Sequence, residues 1–293
     1  MSQPNKKSIE PKKDVIPLKT NPVVVKKSKA NLLIETQNKE FAVLQLICRF
    51  GLSTPKVASY FIDDPKGYVI RRLLKNKWIS THRNPRIPPY TKAFGAEHAV
   101  VTLTKLGLRM FHERRGEDIR YLETNRENIN FRHASHTLEG QITVKKLLMF
   151  NLIREYETER MIDPDNKLGP KKFDLVAILN EGDAFGKKAG IEIELSPKYK
   201  KEMCETRKRI CQSLMKKNFM GKVVYAYVFY FMEQSIMQSY QELFSSGAEI
   251  YYWHLNSKRK YVQGDVDLII PDYLAARILF FPIQGIATQE VSQ

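Results

Sequence analysis

Cysteine is scarce: Cys48, Cys204 and Cys211 are the only three in 293 residues. They are too few and too scattered for a disulfide framework, and the gap between the last two matches no zinc knuckle, so free thiols are expected. No apolar run approaches the roughly 18 to 20 residues that cross a bilayer. The longest candidate is Val223 to Met232. The Lys-rich N-terminus lacks the apolar segment of a signal peptide, so a cytoplasmic chain without membrane insertion is expected. Acidic residues are in deficit, 32 against 48 Lys+Arg, for a formal charge of +16. What is present excludes disorder throughout. An apolar fraction of 43% with 11% aromatics is enough for real cores, and the length suits two modest domains.

The positive charge is concentrated toward the N-terminus. Residues 1–30 carry eight Lys against Glu10 and Asp14, a net +6, and residues 31–115 carry fifteen basic against six acidic residues, a net +9. The remaining residues are nearly balanced at +1. A field of this sign attracts polyanions through counterion release, which makes double-stranded DNA the first partner to consider. The tail over 1–30 alternates Lys with Pro and shows no folding period, so it is expected to stay disordered.

From Asn38, Phe41, Leu44, Leu46, Ile47 and Phe50 recur at near-helical spacing, with Gly51 as a stop signal. Ser53 or Thr54 then caps a helix that has Pro55 at its first position. A third helix, roughly Asp64 to Asn76, turns Val69, Ile70, Leu73 and Leu74 inward and Lys66, Arg71, Arg72, Lys75 and Lys77 outward. A strand begins at Trp78, a Pro-rich turn spans Asn84 to Pro89, His98 to Leu103 forms a partner strand, and Thr104 caps a last helix reaching Arg115. This order, carried by YVIRRLLKNKWIS and AVVTLTKLGLRMFHERR, resembles a winged helix-turn-helix over 31–115. The resemblance implies a basic recognition helix that reads DNA and a wing, with Arg83, Arg86 and Lys92, that holds its backbone. Winged helices also serve as protein-docking modules.

After a polar linker over 116–132, an amphipathic helix is expected from about His133 to Glu157, with Glu139 on or beside its apolar face. Residues Phe173 to Leu179 read as a strand. A polar insert leads to a second strand, Ile191 to Leu195, whose period of two puts Glu192 and Glu194 on one face. If the two strands pair, Asp174 joins them, with Glu139 approaching from the helix. Clustered carboxylates repel unless protonated, solvated or neutralised by a cation, and their hard oxygens suit Mg²⁺ or Mn²⁺. A basic helix around Lys200 to Lys217 follows, then a strand over Lys222 to Tyr230, a helix over Glu233 to Phe244 and a strand over Ile250 to Leu255.

This succession, with Asp174 on one strand and Glu192-Ile193-Glu194 on the next, resembles the PD-(D/E)XK nuclease superfamily. The resemblance implies an α+β chain: an N-terminal winged helix followed, over 133–275, by a nuclease-like domain with a mixed central sheet and a C-terminal tail over 276–293. Its pattern casts Asp174, Glu192 and Glu194 as metal ligands. Two departures stand out. No Pro precedes Asp174, and Glu194 occupies the position of the expected Lys, where it could serve as general base or extra ligand but cannot stabilise an anion. Lys198, just beyond the strand, could supply that positive charge.

With the winged helix in front, HASHTLEGQITV and IEIELSPKYKK resemble the replication-relaxation or MobC family of plasmid mobilisation proteins over about 35–256. That resemblance implies DNA binding at a transfer origin, Mg²⁺-dependent nicking, partners among mobilisation or conjugation proteins, Glu139 as an auxiliary acid and His136 as a site residue. The chain does not match the relaxase site built from three His and a Tyr nucleophile. Its six histidines include no His-x-His run, and Tyr199 is one of 14 tyrosines. A noncatalytic replication or transcription regulator with a degenerate nuclease fold fits the same residues, and a homodimer is compatible with either reading.

Overall fold

The computed structural model describes residues 29–83, 99–115, 134–159, 161, 173–180, 185–215 and 225–283. The Pro-rich turn with Arg86 and Lys92, the basic tail over 1–28, the linker over 116–132, His133 and the last residues from 284 onward lie outside that set.

The N-terminal elements are α1 (Lys29–Phe50), α2 (Pro55–Phe61), α3 (Tyr68–Lys75), β1 (Ile79–Arg83), β2 (Ala99–Leu103) and α4 (Lys105–Arg115). Local chemistry sets their boundaries. The Thr54 hydroxyl accepts from the Val57 N–H at 3.2 Å ahead of Pro55. The Asp64 carboxylate accepts from the Val69 N–H at 2.8 Å and so caps α3 from a turn away. Thr104 accepts from the Gly107 N–H at 3.0 Å. Strands β1 and β2 pair antiparallel, Ile79 opposite Leu103.

Helix α5 (Ala134–Met149) is shorter than the periodicity predicts. Asn151 adopts φ +56° and ends the helix, and Ile153–Thr158 runs on as β3. The sequence IREYET is rich in helix formers. Pairing with β4 (Leu175–Leu179) overrides that local preference. Strand β5 (Lys188–Glu194), helix α6 (Lys200–Leu214), strand β6 (Tyr227–Met232) and helix α7 (Gln234–Leu243) follow. Then come β7 (Glu249–Leu255), β8 (Tyr261–Ile269), α8 (Asp272–Ala275) and β9 (Ile278–Pro282).

The architecture is α+β with a mixed five-stranded sheet in the order β3-β4-β5-β6-β9. Strands β3, β4 and β5 are antiparallel neighbours, while β5–β6 and β6–β9 are parallel. Strand β9 falls within 276–293, the stretch expected to be a tail. It enters the sheet because Leu279 and Phe281 extend the aromatic face of β6, where Phe229 and Phe281 meet edge to face at 5.8 Å.

The sheet has two unlike faces. Leu175, Ala177, Ile191 and Ile193 pack with α1 and α5, and Val176, Val228, Tyr230 and Met232 pack with α6 and α7. The first cluster crosses the expected domain boundary, because Phe41, Ile47 and Phe50 of α1 belong to the same buried set as Val144, Ile153 and Ile191. Polar contacts fasten the same junction. The Ser53 hydroxyl donates to the Gln141 amide oxygen at 2.7 Å, the Gln141 amide nitrogen donates to the Leu52 carbonyl at 2.6 Å, and Lys145 pairs with Asp63 at 2.8 Å.

Candidate active site at the end of the central sheet

The register of β4 and β5 determines where the acids meet. Leu175 lies opposite Ile191, so Asp174, one residue outside the ladder, comes beside Glu192 on the same face. The Ile193 N–H donates to Asp174 Oδ2 at 2.8 Å, which ties the carboxylate to the neighbouring strand. Glu192 and Glu194 lie next to Tyr230 and Met232 of β6 in register, on the face that α6 and α7 cover. Both are buried, at 3% and 7% exposure.

Two basic side chains stand among these carboxylates. Lys198 Nζ contacts Glu194 Oε2 and brings a positive charge into the position where the strand itself carries an acid. His136, near the start of α5, donates from Nε2 to the Ile193 carbonyl at 2.8 Å and lies 3.2 Å from Asp174 Oδ2. Burial pushes the imidazole pKa down, yet hydrogen bonding to Asp174, the Asp174 charge, the Ile193 carbonyl and Glu192 outweigh it, and the net shift is upward. His136 therefore stays protonated to higher pH than an ordinary histidine. Access is from this end, since the Asp174 and His136 side chains are 24% and 35% exposed.

Sequence reasoning missed two tyrosines of the site. Tyr230 is wholly buried beneath Glu192, and its hydroxyl pKa is raised well above 10, first by burial and then by Glu192, Glu194, Tyr240 and Asp174. Tyr240 of α7 accepts from the Lys198 N–H at 3.4 Å, and burial together with Glu194 raises its pKa as well. The alternation of Val228, Tyr230 and Met232 along β6 was the signal that could have placed Tyr230 on the acidic face. Tyr199 is 86% exposed.

Glu139 belongs to a different environment. It lines a cavity of about 580 Å³ with Lys146, Ile142, Phe229, Phe231 and Phe281. Those β6 aromatics alternate with Tyr230, so the cavity opens on the opposite face from Glu192 and Glu194, and of the two α5 candidates it is His136 that meets Asp174. Burial, against the opposing charge of Lys146 and with help from Glu233, raises the Glu139 pKa to about 7. Its Oε2 is buried without a hydrogen-bond partner.

Among the described residues, no group of three or more His, Cys, Asp or Glu side chains is placed to hold a metal ion, Asp174, Glu192 and Glu194 included.

The basic residues of the N-terminal unit are also sorted by the fold. Lys66, Arg71, Lys75, Lys77 and Arg83 are exposed, and the Arg71 guanidinium lies over the Tyr68 ring at 4.8 Å. Arg72 has a structural partner that the helix period does not reveal. Its Nε lies 2.8 Å from Oε1 of Glu40, a fully buried carboxylate of α1 whose other oxygen faces Arg114 at 3.7 Å. Helix α6 is basic as expected, but Arg207 is buried and donates to the Glu249 carbonyl at 3.0 Å, and Lys208 pairs with Asp267. Lys216, Lys217 and Lys222 lie outside the described residues.

No family model matches this chain, and neither does any curated protein or solved structure. No helix among the described residues is long and apolar enough to cross a membrane.

Proposed function

We propose that this chain is a DNA-binding protein of the plasmid-mobilisation type that nicks DNA at a transfer origin by metal-dependent phosphodiester cleavage. The observation that carries the reading is the strand register that sets Asp174 beside Glu192 with Glu194 on the same face, where His136 reaches Asp174 and Lys198 reaches Glu194. The order of α1 to α4 around the β1–β2 pair, with Lys66, Arg71, Lys75 and Lys77 on the outside, supports a winged helix that engages duplex DNA. Helix α5 together with strands β4 and β5, which bring Asp174 beside Glu192, supports a nuclease-like second unit.

In this reading Asp174, Glu192 and Glu194 would be the residues to hold Mg²⁺ or Mn²⁺, which would supply Lewis-acid polarisation of a phosphoryl oxygen and a more acidic bound water. The chain's own groups do the rest. Lys198 offsets Glu194 and keeps a fixed positive charge beside the place where the phosphoryl group gains negative charge. His136 positions Asp174, and the Ile193 N–H holds the same carboxylate against rotation. Tyr230 and Tyr240 close the site toward the core with phenols that stay neutral, so they add no competing anion.

A noncatalytic regulator is the second reading. What favours it is the internal satisfaction of the cluster: Asp174 Oδ2 is already engaged by His136 and Ile193, and Glu194 by Lys198. Supercoiled plasmid carrying the cognate transfer region, incubated with the protein and Mg²⁺ or Mn²⁺, separates the two. Nicking predicts relaxed circles that vanish with EDTA and in the Asp174→Asn and Glu192→Gln variants. Plasmid that stays supercoiled with every metal, while binding remains tight, assigns the regulator.

A further inference from the structure

The β7–β8 hairpin carries a feature that neither the recognition helix nor the carboxylate site uses. Its base is anchored. Ile250 is buried, Arg207 of α6 donates to the Glu249 carbonyl, and Lys208 pairs with Asp267. Beyond the base the hairpin runs along α6: Trp253 packs against the core, and Tyr261, paired with Leu255 next to the turn, lies under Lys201. Ile250 is the only buried residue among 249–269, and Ser257 to Lys260 at the turn are exposed.

Charge along the hairpin is segregated. Glu249, Asp265 and Asp267 sit at the base, whereas residues 250–264 contain no acid and include Lys258, Arg259 and Lys260. These three cations are presented on an ordered turn. The Asn256 side-chain oxygen accepts from the Lys258 and Lys260 N–H groups, each at 3.0 Å, and Arg259 takes φ +54°. Tyr252 and Tyr261, both more than half exposed, give the strands aromatic surface below the tip. Lys201 of α6 lies over the Tyr261 ring at 3.3 Å. Lys200 and Lys201 follow the site residue Lys198 by two and three positions, so one basic track runs from the carboxylates along the foot of α6 to the hairpin.

We propose that the β7–β8 hairpin is an arm that grips duplex DNA, with Lys258, Arg259 and Lys260 on the phosphates and Lys200 and Lys201 continuing the track toward the carboxylate site. This rests on the DNA-binding reading above and identifies a second point of grip. A two-stranded ribbon has the width of the major groove, and a cationic tip free of acids complements a polyanion. An acidic protein is the other partner such a tip could meet.

The test is equilibrium binding of the full chain to a duplex oligonucleotide from about 50 to 200 mM salt. The triple variant Lys258→Gln, Arg259→Asn, Lys260→Gln keeps a residue at position 259 that tolerates positive φ. Each phosphate contact contributes about 0.9 to the slope of log affinity on log salt, so the variant's slope is expected to be shallower by about 2 to 3. Lys258→Arg with Lys260→Arg is expected to retain the wild-type slope. A triple variant with unchanged slope and affinity overturns the arm while leaving the DNA-binding reading intact. A wild-type chain that ignores duplex at the lowest salt overturns both, and tighter binding to polyglutamate than to duplex reassigns the tip to an acidic protein.

Discussion

Wild-type stability is expected to fall by about 3 kcal/mol as pH rises from 4.5 to 7, and Glu139→Gln is expected to remove most of that fall. The carboxyl is 7% exposed at the wall of an apolar cavity, and its pKa is raised from 4.5 to about 7, first by burial. The sign follows from proton binding. Between those values the folded chain holds a proton that the unfolded chain has released, so folding weakens as pH climbs. The stabilising contribution is complete below the unfolded value and gone above the folded one. His136, also raised, adds a drop in the same direction near and above its own range, so the informative quantity is the difference between wild type and variant. Urea unfolding at pH 5 and pH 8 reads it: the two proteins differ little at pH 5, and the variant is more stable at pH 8. Equal pH dependence in both would show that Glu139 ionises as an ordinary surface carboxylate.

Arg72→Met is expected to cost about 3 kcal/mol of stability, since removing one partner of a buried ion pair strands the other charge. The stranded group is Glu40, fully buried. The estimate sits at the low end of the 3–5 kcal/mol for such losses because Arg72 is 48% exposed and Arg114 still faces the second oxygen. Glu40→Gln in the same background is expected to restore most of the loss, because the neutral amide no longer needs a counter-charge. Thermal and urea unfolding of the single and double variants measure the coupling. If Arg72→Met is as stable as wild type, the pair is a surface contact and Arg72 returns to the set of free cations. By contrast, Arg71→Ala is expected to leave stability unchanged and, if the chain binds duplex as proposed, to weaken that binding with a salt slope shallower by about 1. The two adjacent arginines of α3 are thus unlike in structure: Arg72 is paired with the buried Glu40, and Arg71 is exposed over Tyr68.

That separation marks how far linear pattern reaches. The spacing of Val69, Ile70 and Leu73 identified the buried stripe of α3 and left Arg71 and Arg72 equivalent outside it. Only the packing of α1 against α3 distinguishes them, because Glu40 reaches Arg72 from a segment about thirty residues away. The same limit appears at α5. Helix period alone placed Glu139 near the acids, whereas its position over the aromatic face of β6 and β9 puts it in an apolar cavity, and His136 one turn earlier meets Asp174 instead. Strand β3 was hidden because Arg154, Glu155 and Glu157 favour helix locally. Strand β9 was hidden because a short apolar run near a chain end has no partner until β6 is in place.

Period-two alternation did determine that Glu192 and Glu194 share a face, since side chains on a strand have no other choice. The caps at Thr54 and Thr104 were likewise written locally, in residues that satisfy the free amides of the next turn. The pairing of Asp174 with Glu192, the entry of Lys198 beside Glu194 and the burial of Tyr230 beneath them depend on strand register and on which helix covers which face. Those are contacts between distant segments, set by the joint burial of apolar surface, and a single chain read residue by residue carries no record of which surface it will meet.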